Sequence, residues 1–246
     1  NHTWSHKNVA AKEEVLKIWD IIYQFYGAFG FKLKVRLSLH DPKQPEKYLG
    51  DSMRWENAEG ILRGIVTDKK IEFFEGIGEA AFYGPKLDFM ANDSLGRQWQ
   101  VATIQLDMNM PERFDLSCAN EEGKAERIVM IHAAIMGSTE RFLSIIIEHY
   151  AGNFPLWLAP VQIKIIPVRE THNDYTKNIF SVLKKADIRA ELDINDENLG
   201  KKVRKAKVEK IPYWIVVGDK DIEAGKMTLE SRDKGNLGQF TEEELV

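Results

Sequence analysis

The sequence predicts an α/β fold in two parts: an antiparallel sheet flanked by helices, then a smaller sandwich of alternating strands and helices. Three observations predict it. An amphipathic helix is followed by a segment, residues 31–39, that alternates apolar and polar with period two. Two strand-like runs within 86–108 are joined by Asn92-Asp93-Ser94-Leu95-Gly96, a cluster of turn formers, so they pair as a hairpin. After the proline-bracketed stretch Phe154-Pro-Leu-Trp-Leu-Ala-Pro160, short apolar runs alternate with helical patterns, the sign of a mostly parallel sheet. That stretch sets the boundary between a first domain, 1–157, and a second, 158–246.

The elements follow in order. Over 9–29, Leu16, Trp19, Tyr23 and Tyr26 recur at helical spacing, and Gly27 and Gly30 end the run. Phe31, Leu33, Val35, Leu37 and Leu39 then share one face of a half-buried strand. A loop with Pro42 and Pro45 leads to a helix over 55–66. The hairpin strands cover 86–90 and 98–108. A further strand over 128–135 meets Gly137-Ser138, and an amphipathic helix runs from there to 150. In the second domain, strands at 163–166, 189–193, 213–217 and 227–231 alternate with helices at 173–186 and 199–210.

Composition narrows the function. The chain has 246 residues, 43% hydrophobic and 29% charged, which is ordinary for a globular protein. No apolar run approaches the roughly 18 residues a membrane span needs, and no signal-peptide pattern opens the chain. The single cysteine, Cys118, excludes an internal disulfide and fits a reducing cytoplasm. A net charge of -4 means that nucleic acid could be bound only through a local basic patch. The opening at Asn1-His2 without methionine, and an ending on Thr241-Glu-Glu-Glu-Leu-Val246 that reads as the start of a helix, lead to the expectation of a fragment.

Four constellations could carry chemistry. On the second hairpin strand Trp99, Val101, Thr103, Gln105 and Asp107 share a face, and on the first so do Lys86 and Asp88. If the faces coincide, Lys86, Thr103 and Gln105 converge, and a lysine beside neutral hydrogen-bonding groups suits a phosphate. A solvated sheet face is the plainer reading. Second, Gly137-Ser138-Thr139-Glu140-Arg141-Phe142 delivers a strand to a helix start, where backbone N–H groups attract anions and Arg141 could reach a phosphate. A capped surface helix with an ion-paired arginine would look the same. Third, His132 stands in an apolar strand, either as a satisfied core residue or as a metal ligand, with His2, His6 or Cys118 as partners. Fourth, Lys201, Lys202, Arg204, Lys205, Lys207 and Lys210 crowd one helix. Leu199, Val203 and Ala206 make its buried stripe, which leaves most cations facing outward, for phosphate backbone or merely for solvent.

These residues also carry a resemblance. Ala81-Phe-Tyr-Gly-Pro-Lys-Leu-Asp88, Ala102-Thr-Ile-Gln-Leu-Asp107, Pro111-Glu-Arg-Phe-Asp-Leu116, Val129-Met-Ile-His132, the 137–142 block and Glu148-His-Tyr-Ala-Gly-Asn-Phe-Pro-Leu-Trp-Leu-Ala-Pro160 resemble, in order, the threonyl-tRNA synthetase family. The likeness covers nearly the whole chain, and the Tyr-Gly-Pro-Lys and Thr-Ile-Gln-Leu-Asp blocks favour that family over its prolyl and histidyl relatives. It implies the C-terminal part of a class II synthetase catalytic domain, with an antiparallel sheet, followed by an α/β anticodon-binding domain. The implied activity joins threonine to tRNA with ATP and Mg2+. Arg141 would contact ATP, Lys86 would lie near the α-phosphate, and Tyr83, Thr103, Gln105 and Ser138 would line the pocket. The family's zinc, held by a cysteine and two histidines, would take His132 and His2. Such a metal separates threonine from valine because it coordinates the hydroxyl. The resemblance further implies a tRNA partner rather than DNA or membrane, contacts from Lys201, Lys202, Arg204 and Arg232, and a homodimer for the full-length protein.

The departures are specific. The zinc cysteine would lie upstream, and Cys118 is not at its position. The first class-defining motif and the arginine-bearing part of the second are missing. Ala133 stands where the family carries arginine, and Gly200 where a polar side chain is expected. The chain by itself is therefore expected to be inactive. A non-catalytic paralogue that binds RNA through the second domain is the alternative.

Overall fold

The computed structural model describes residues 2–5, 8–120 and 122–246, with side chains from Ala11 onward. Two compact units emerge, Asn1–His149 and Tyr150–Val246.

The first unit is a six-stranded sheet. Its strands are β1 (His2–Ser5), β2 (Leu33–Leu39), β3 (Phe73–Ile77), β4 (Lys86–Asn92), β5 (Gln98–Asp107) and β8 (Val129–Ala134), in the order β1-β8-β5-β4-β2-β3. Every pair is antiparallel except β2 with β3. That parallel edge strand, with the exposed Phe74 and Ile77, gave no legible alternation. A small hairpin of β6 (Ser117–Ala119) and β7 (Ala125–Arg127) and a one-turn helix α3 (Met110–Arg113) also escaped the sequence reading.

Alternation divides the sheet into two faces. Val35, Leu37, Leu87, Phe89, Ala102, Ile104, Leu106 and Ile131 are buried on one. The helices α1 (Asn8–Ala28) and α2 (Ser52–Asp68) pack with this sheet. Trp19 meets Phe89 edge-on, with ring centroids 4.9 Å apart. The Asp51 side chain accepts from Arg54 N and caps α2. The opposite face bears Arg36, Ser38, Lys86, Asp88, Thr103, Gln105 and His132, the polar positions of the same strands.

One detail re-aims that face. The β4–β5 register runs Phe89↔Ala102 and then Met90↔Gln100, so Val101 is an extra residue in the ladder. Period two therefore breaks at Val101. The predicted grouping of Trp99 and Val101 with Thr103 is incorrect, and Gln100 joins Thr103 and Asp88 instead. Tyr26, 1% exposed, donates to the carbonyl of Val101 over 2.8 Å and anchors the bulge.

The second unit has the order β10-β9-β11-β12-β13, built from β9 (Ile163–Pro167), β10 (Ala190–Leu192), β11 (Tyr213–Val217), β12 (Met227–Ser231) and β13 (Gly235–Phe240). The first three strands are parallel. The last two form an antiparallel hairpin, so the sheet is mixed rather than mostly parallel. Ile163, Ile165, Ile215 and Val217 pack with Ile179 and Leu183 of α5 (Asn173–Lys185). Ile166 and Trp214, of opposite phase, pack with Ala206 of α6 (Leu199–Val208). A short helix α7 (Asp219–Ala224) follows β11. No helix among the described residues is long and apolar enough to cross a membrane.

Candidate active site

The polar face of the first sheet gathers the predicted residues around two carboxylates. Lys86 stands opposite Gln105, and Gln105 opposite His132, so three neighbouring strands set them in one row. Asp88, with no exposed surface, lies beneath that row. Its Oδ2 meets Lys86 Nζ at 3.1 Å and accepts from Arg36 Nη2 at 2.9 Å and Ser38 Oγ at 2.8 Å. Its Oδ1 accepts from Thr103 Oγ1 at 2.8 Å and Gln100 Nε2 at 2.7 Å. A buried carboxylate is tolerable only with such company.

The second carboxylate, Asp107, is also fully buried and lies 2.8 Å from His132 Nε2. A carboxylate only accepts, so Nε2 carries the hydrogen. Its other oxygen accepts from the backbone N–H groups of Asn109 and Met110 at 2.9 Å, which starts α3. Tyr83 packs edge-on against His132 at 5.4 Å. Burial, and then the charge of Asp107, raise the Tyr83 phenol above its ordinary pKa. Gln105 Nε2 donates to the Gly84 carbonyl at 2.9 Å. Gly84 cannot be another residue here, because a Cβ would stand 1.9 Å from Leu106 O.

The 137–142 turn abuts the bulge. Gly137 has φ +67°, and a Cβ there would lie 3.1 Å from Val101 O. Ser138 Oγ accepts from Arg141 N at 3.2 Å and donates to Glu140 at 2.9 Å, capping α4 (Thr139–His149). Arg141 and Ser138 are exposed. No hydrogen bond or ion pair among the described residues joins them to Lys86, Thr103 or Gln105.

The metal expectation fares differently. A zinc centre needs three protein ligands or more, and no group of three His, Cys, Asp or Glu among the described residues could hold a metal. The Cys118 thiol points at the Glu126 carbonyl within the β6–β7 hairpin. His2 is opposite His132 in register, but its side chain, like the whole of His6, lies outside the described residues. Among the described residues the donors do not make a zinc site.

In the second unit the basic helix is capped by Asn198, whose side chain accepts from Lys201 N at 2.9 Å. Lys201 and Arg204 have at most partial cover, but Lys202 is 5% exposed, and its ammonium donates to the Asp193 carbonyl at 3.2 Å. Lys202 is therefore the exception among the cations of this helix, turned into the fold rather than outward. Residues 199, 202, 203 and 206 form one stripe, and the lysine's aliphatic stem fills it. Arg232 donates to the carbonyls of Phe154 and Lys210 and pairs with Asp233 at 2.9 Å.

The sequence reading passed over Asp88, Arg36, Ser38 and Gln100 as site residues. The first three occupy the polar phase of legible strands, where residue type alone does not separate a site from a solvated face. Nothing in the local sequence marks the bulge that brings in Gln100.

Comparisons with known proteins agree with this division. Residues 1–150 match the family described as tRNA synthetase class II core domain (G, H, P, S and T), and residues 162–246 match the anticodon binding domain family. The chain is 45% identical over 235 residues to the threonine--tRNA ligase of Chlorobium limicola, covering 95% of this chain and 36% of that protein. It is 46% identical over 235 residues to that of Clostridium botulinum, covering 96% and 36%. Among solved structures, the RNA binding domain of threonyl-tRNA synthetase from Cryptosporidium parvum superposes with a TM-score of 0.92 at 32% identity, over 99% of this chain and 60% of that one. A prolyl-tRNA synthetase from the same organism reaches 0.68 at 19% identity, over 99% and 47%, a likeness of fold alone.

Proposed function

From the premise that this chain belongs to the class II tRNA synthetase core family, with an anticodon-binding domain behind the core, we propose that it is part of a threonine–tRNA ligase. The chain spans 36% of the length of the curated relatives it resembles. The activity is accordingly that of a whole protein to which this chain contributes one wall of the active site and the tRNA-reading domain.

The observation that carries the reading is the row Lys86–Gln105–His132 set over Asp88 and Asp107. In the activating step the threonine carboxylate attacks the α-phosphorus of ATP, and pyrophosphate leaves. Negative charge grows on the α-phosphate oxygens, where Lys86 stabilises it. Thr103, Gln105, Tyr83 and Ser138 orient the substrates, and Arg141 holds the nucleotide. Mg2+ accompanies ATP as its counter-ion. Lys201, Arg204 and Arg232, with Lys202 acting from within the fold, serve the tRNA side. A homodimer and a cytoplasmic setting belong to the same reading, as does a domain boundary at 157/158.

The test is threonine-dependent ATP–pyrophosphate exchange by the full-length protein that carries this chain, with valine and serine as controls. Arg141→Ala and Lys86→Ala should each lower exchange roughly 10²–10³-fold. A folded protein with no exchange would favour the RNA-binding paralogue, whose tRNA affinity would be measured next.

A further inference from the structure

The hydrogen bonds that converge on Asp88 have a definite sense. Gln100 spends both Nε2 hydrogens, one on Asp88 Oδ1 and one on Thr103 Oγ1, at 2.7 and 2.8 Å. Its Oε1 accepts from Arg36 Nη2 at 3.1 Å. The Thr103 hydroxyl spends its only hydrogen on Asp88 Oδ1 at 2.8 Å. Arg36 directs Nε to Ser38, Nη2 to Asp88 and Gln100, and Nη1 to Glu79. A carboxylate offers no hydrogen, so every partner of Asp88 must donate to it.

We propose that Asp88 is a positioning residue that fixes the hydrogen-bond sense of Thr103 and holds the Lys86 ammonium beside it. Thr103 is left as an acceptor only, next to a cation that can only donate. The face therefore presents an acceptor to a ligand's ammonium or hydroxyl and a cation to its phosphate or carboxylate, side by side. An aminoacyl phosphate ester carries both groups in that proximity. This deepens the ligase reading and rests on it for the identity of the ligand.

Asp88→Asn replaces one acceptor by an amide N–H that faces only donors. Either Thr103 and Gln100 reverse their sense, or Lys86 and Arg36 lose a partner. In the exchange assay on the full-length protein, Asp88→Asn should lower kcat roughly 10–10²-fold while KM for ATP changes far less, because placement rather than ground-state binding is lost. In a Lys86→Ala background the same substitution should cost little more. Asp88→Glu should recover part of the loss, and Glu79→Gln, which touches only the outer side of Arg36, should behave as wild type. Fully multiplicative losses, or an unchanged kcat in Asp88→Asn, would overturn the proposal. If Asp88→Asn does not fold, Ser38→Ala removes a single donor to Oδ2, and the same cycle is run with it. If the unmodified protein shows no exchange, the ligase reading falls but this inference does not. A crystal structure of the variant then decides it. Lys86 Nζ or Thr103 Oγ1 displaced by more than about 0.5 Å supports positioning, and both unmoved overturns it.

Discussion

The Asp93 carboxylate, at the tip of the β4–β5 hairpin, has no exposed side-chain surface and accepts from Leu95 N, Arg97 N, Arg97 Nε and Trp99 Nε1 at 2.6–3.0 Å. Burial opposes its ionisation, but the Trp99 and Arg97 hydrogen bonds outweigh burial and hold its pKa down at about 2. The folded value lies below the unfolded one of 3.8. Its contribution to stability is therefore present above about pH 4 and is lost as pH falls towards 2. Urea denaturation between pH 2 and 7 should show that loss, and in Asp93→Asn the neutral-pH stability should be lower and the acid slope shallower. At Gly84 the limit is steric. Gly84→Ala should destabilise the first unit by about 1–3 kcal/mol as Leu106 is pushed away, read as a lower urea midpoint. Neither effect follows from residue type. Asp in a turn is ordinary, and only the fold shows that four donors converge on this one.

Among the elements, β5 decides most. Its alternation made Thr103, Gln105 and Asp107 legible as one face, and the structure agrees for those three. The bulge at Val101 breaks the phase before them, so Gln100 was unreadable from a sequence that looks regular across the break. Tyr26 of α1 donates to the carbonyl of the bulged residue. Tyr26→Phe removes this buried hydrogen bond and should cost about 1–3 kcal/mol. Circular dichroism melts would show this, and a fall in exchange activity would show that the bulge places Gln100. Helix α6 teaches the converse. Leu199, Val203 and Ala206 were legible as its buried stripe, but residue type gave no sign that Lys202 lies buried with them. Lys202→Ala should accordingly lower the stability of the second unit by about 1–3 kcal/mol.

At the level of the whole molecule, a net charge of -4 means that the proposed RNA binding falls to local cations such as those of α6. Lys201→Ala should weaken tRNA binding about equally across sequences and reduce the slope of log affinity against log salt by about 1. Filter binding at several salt concentrations would measure it. The two-part organisation was readable because the periodicities on either side of residue 160 differ. The edge strands β3 and β13 were not, because exposed edges carry weak patterns. The pairing of β1 with β8 has a consequence for how the first unit assembles. His2 lies opposite His132, so that ladder closes a loop of about 130 residues, among the costliest closures in chain entropy that the unit makes. The hairpin β4–β5 closes almost none. Assembly should therefore begin at the hairpin and end at β1, and amide hydrogens of β1 should exchange with solvent well before those of β5. The first strand in the sequence is the last to arrive, and its protection reports that the sheet beneath it is complete.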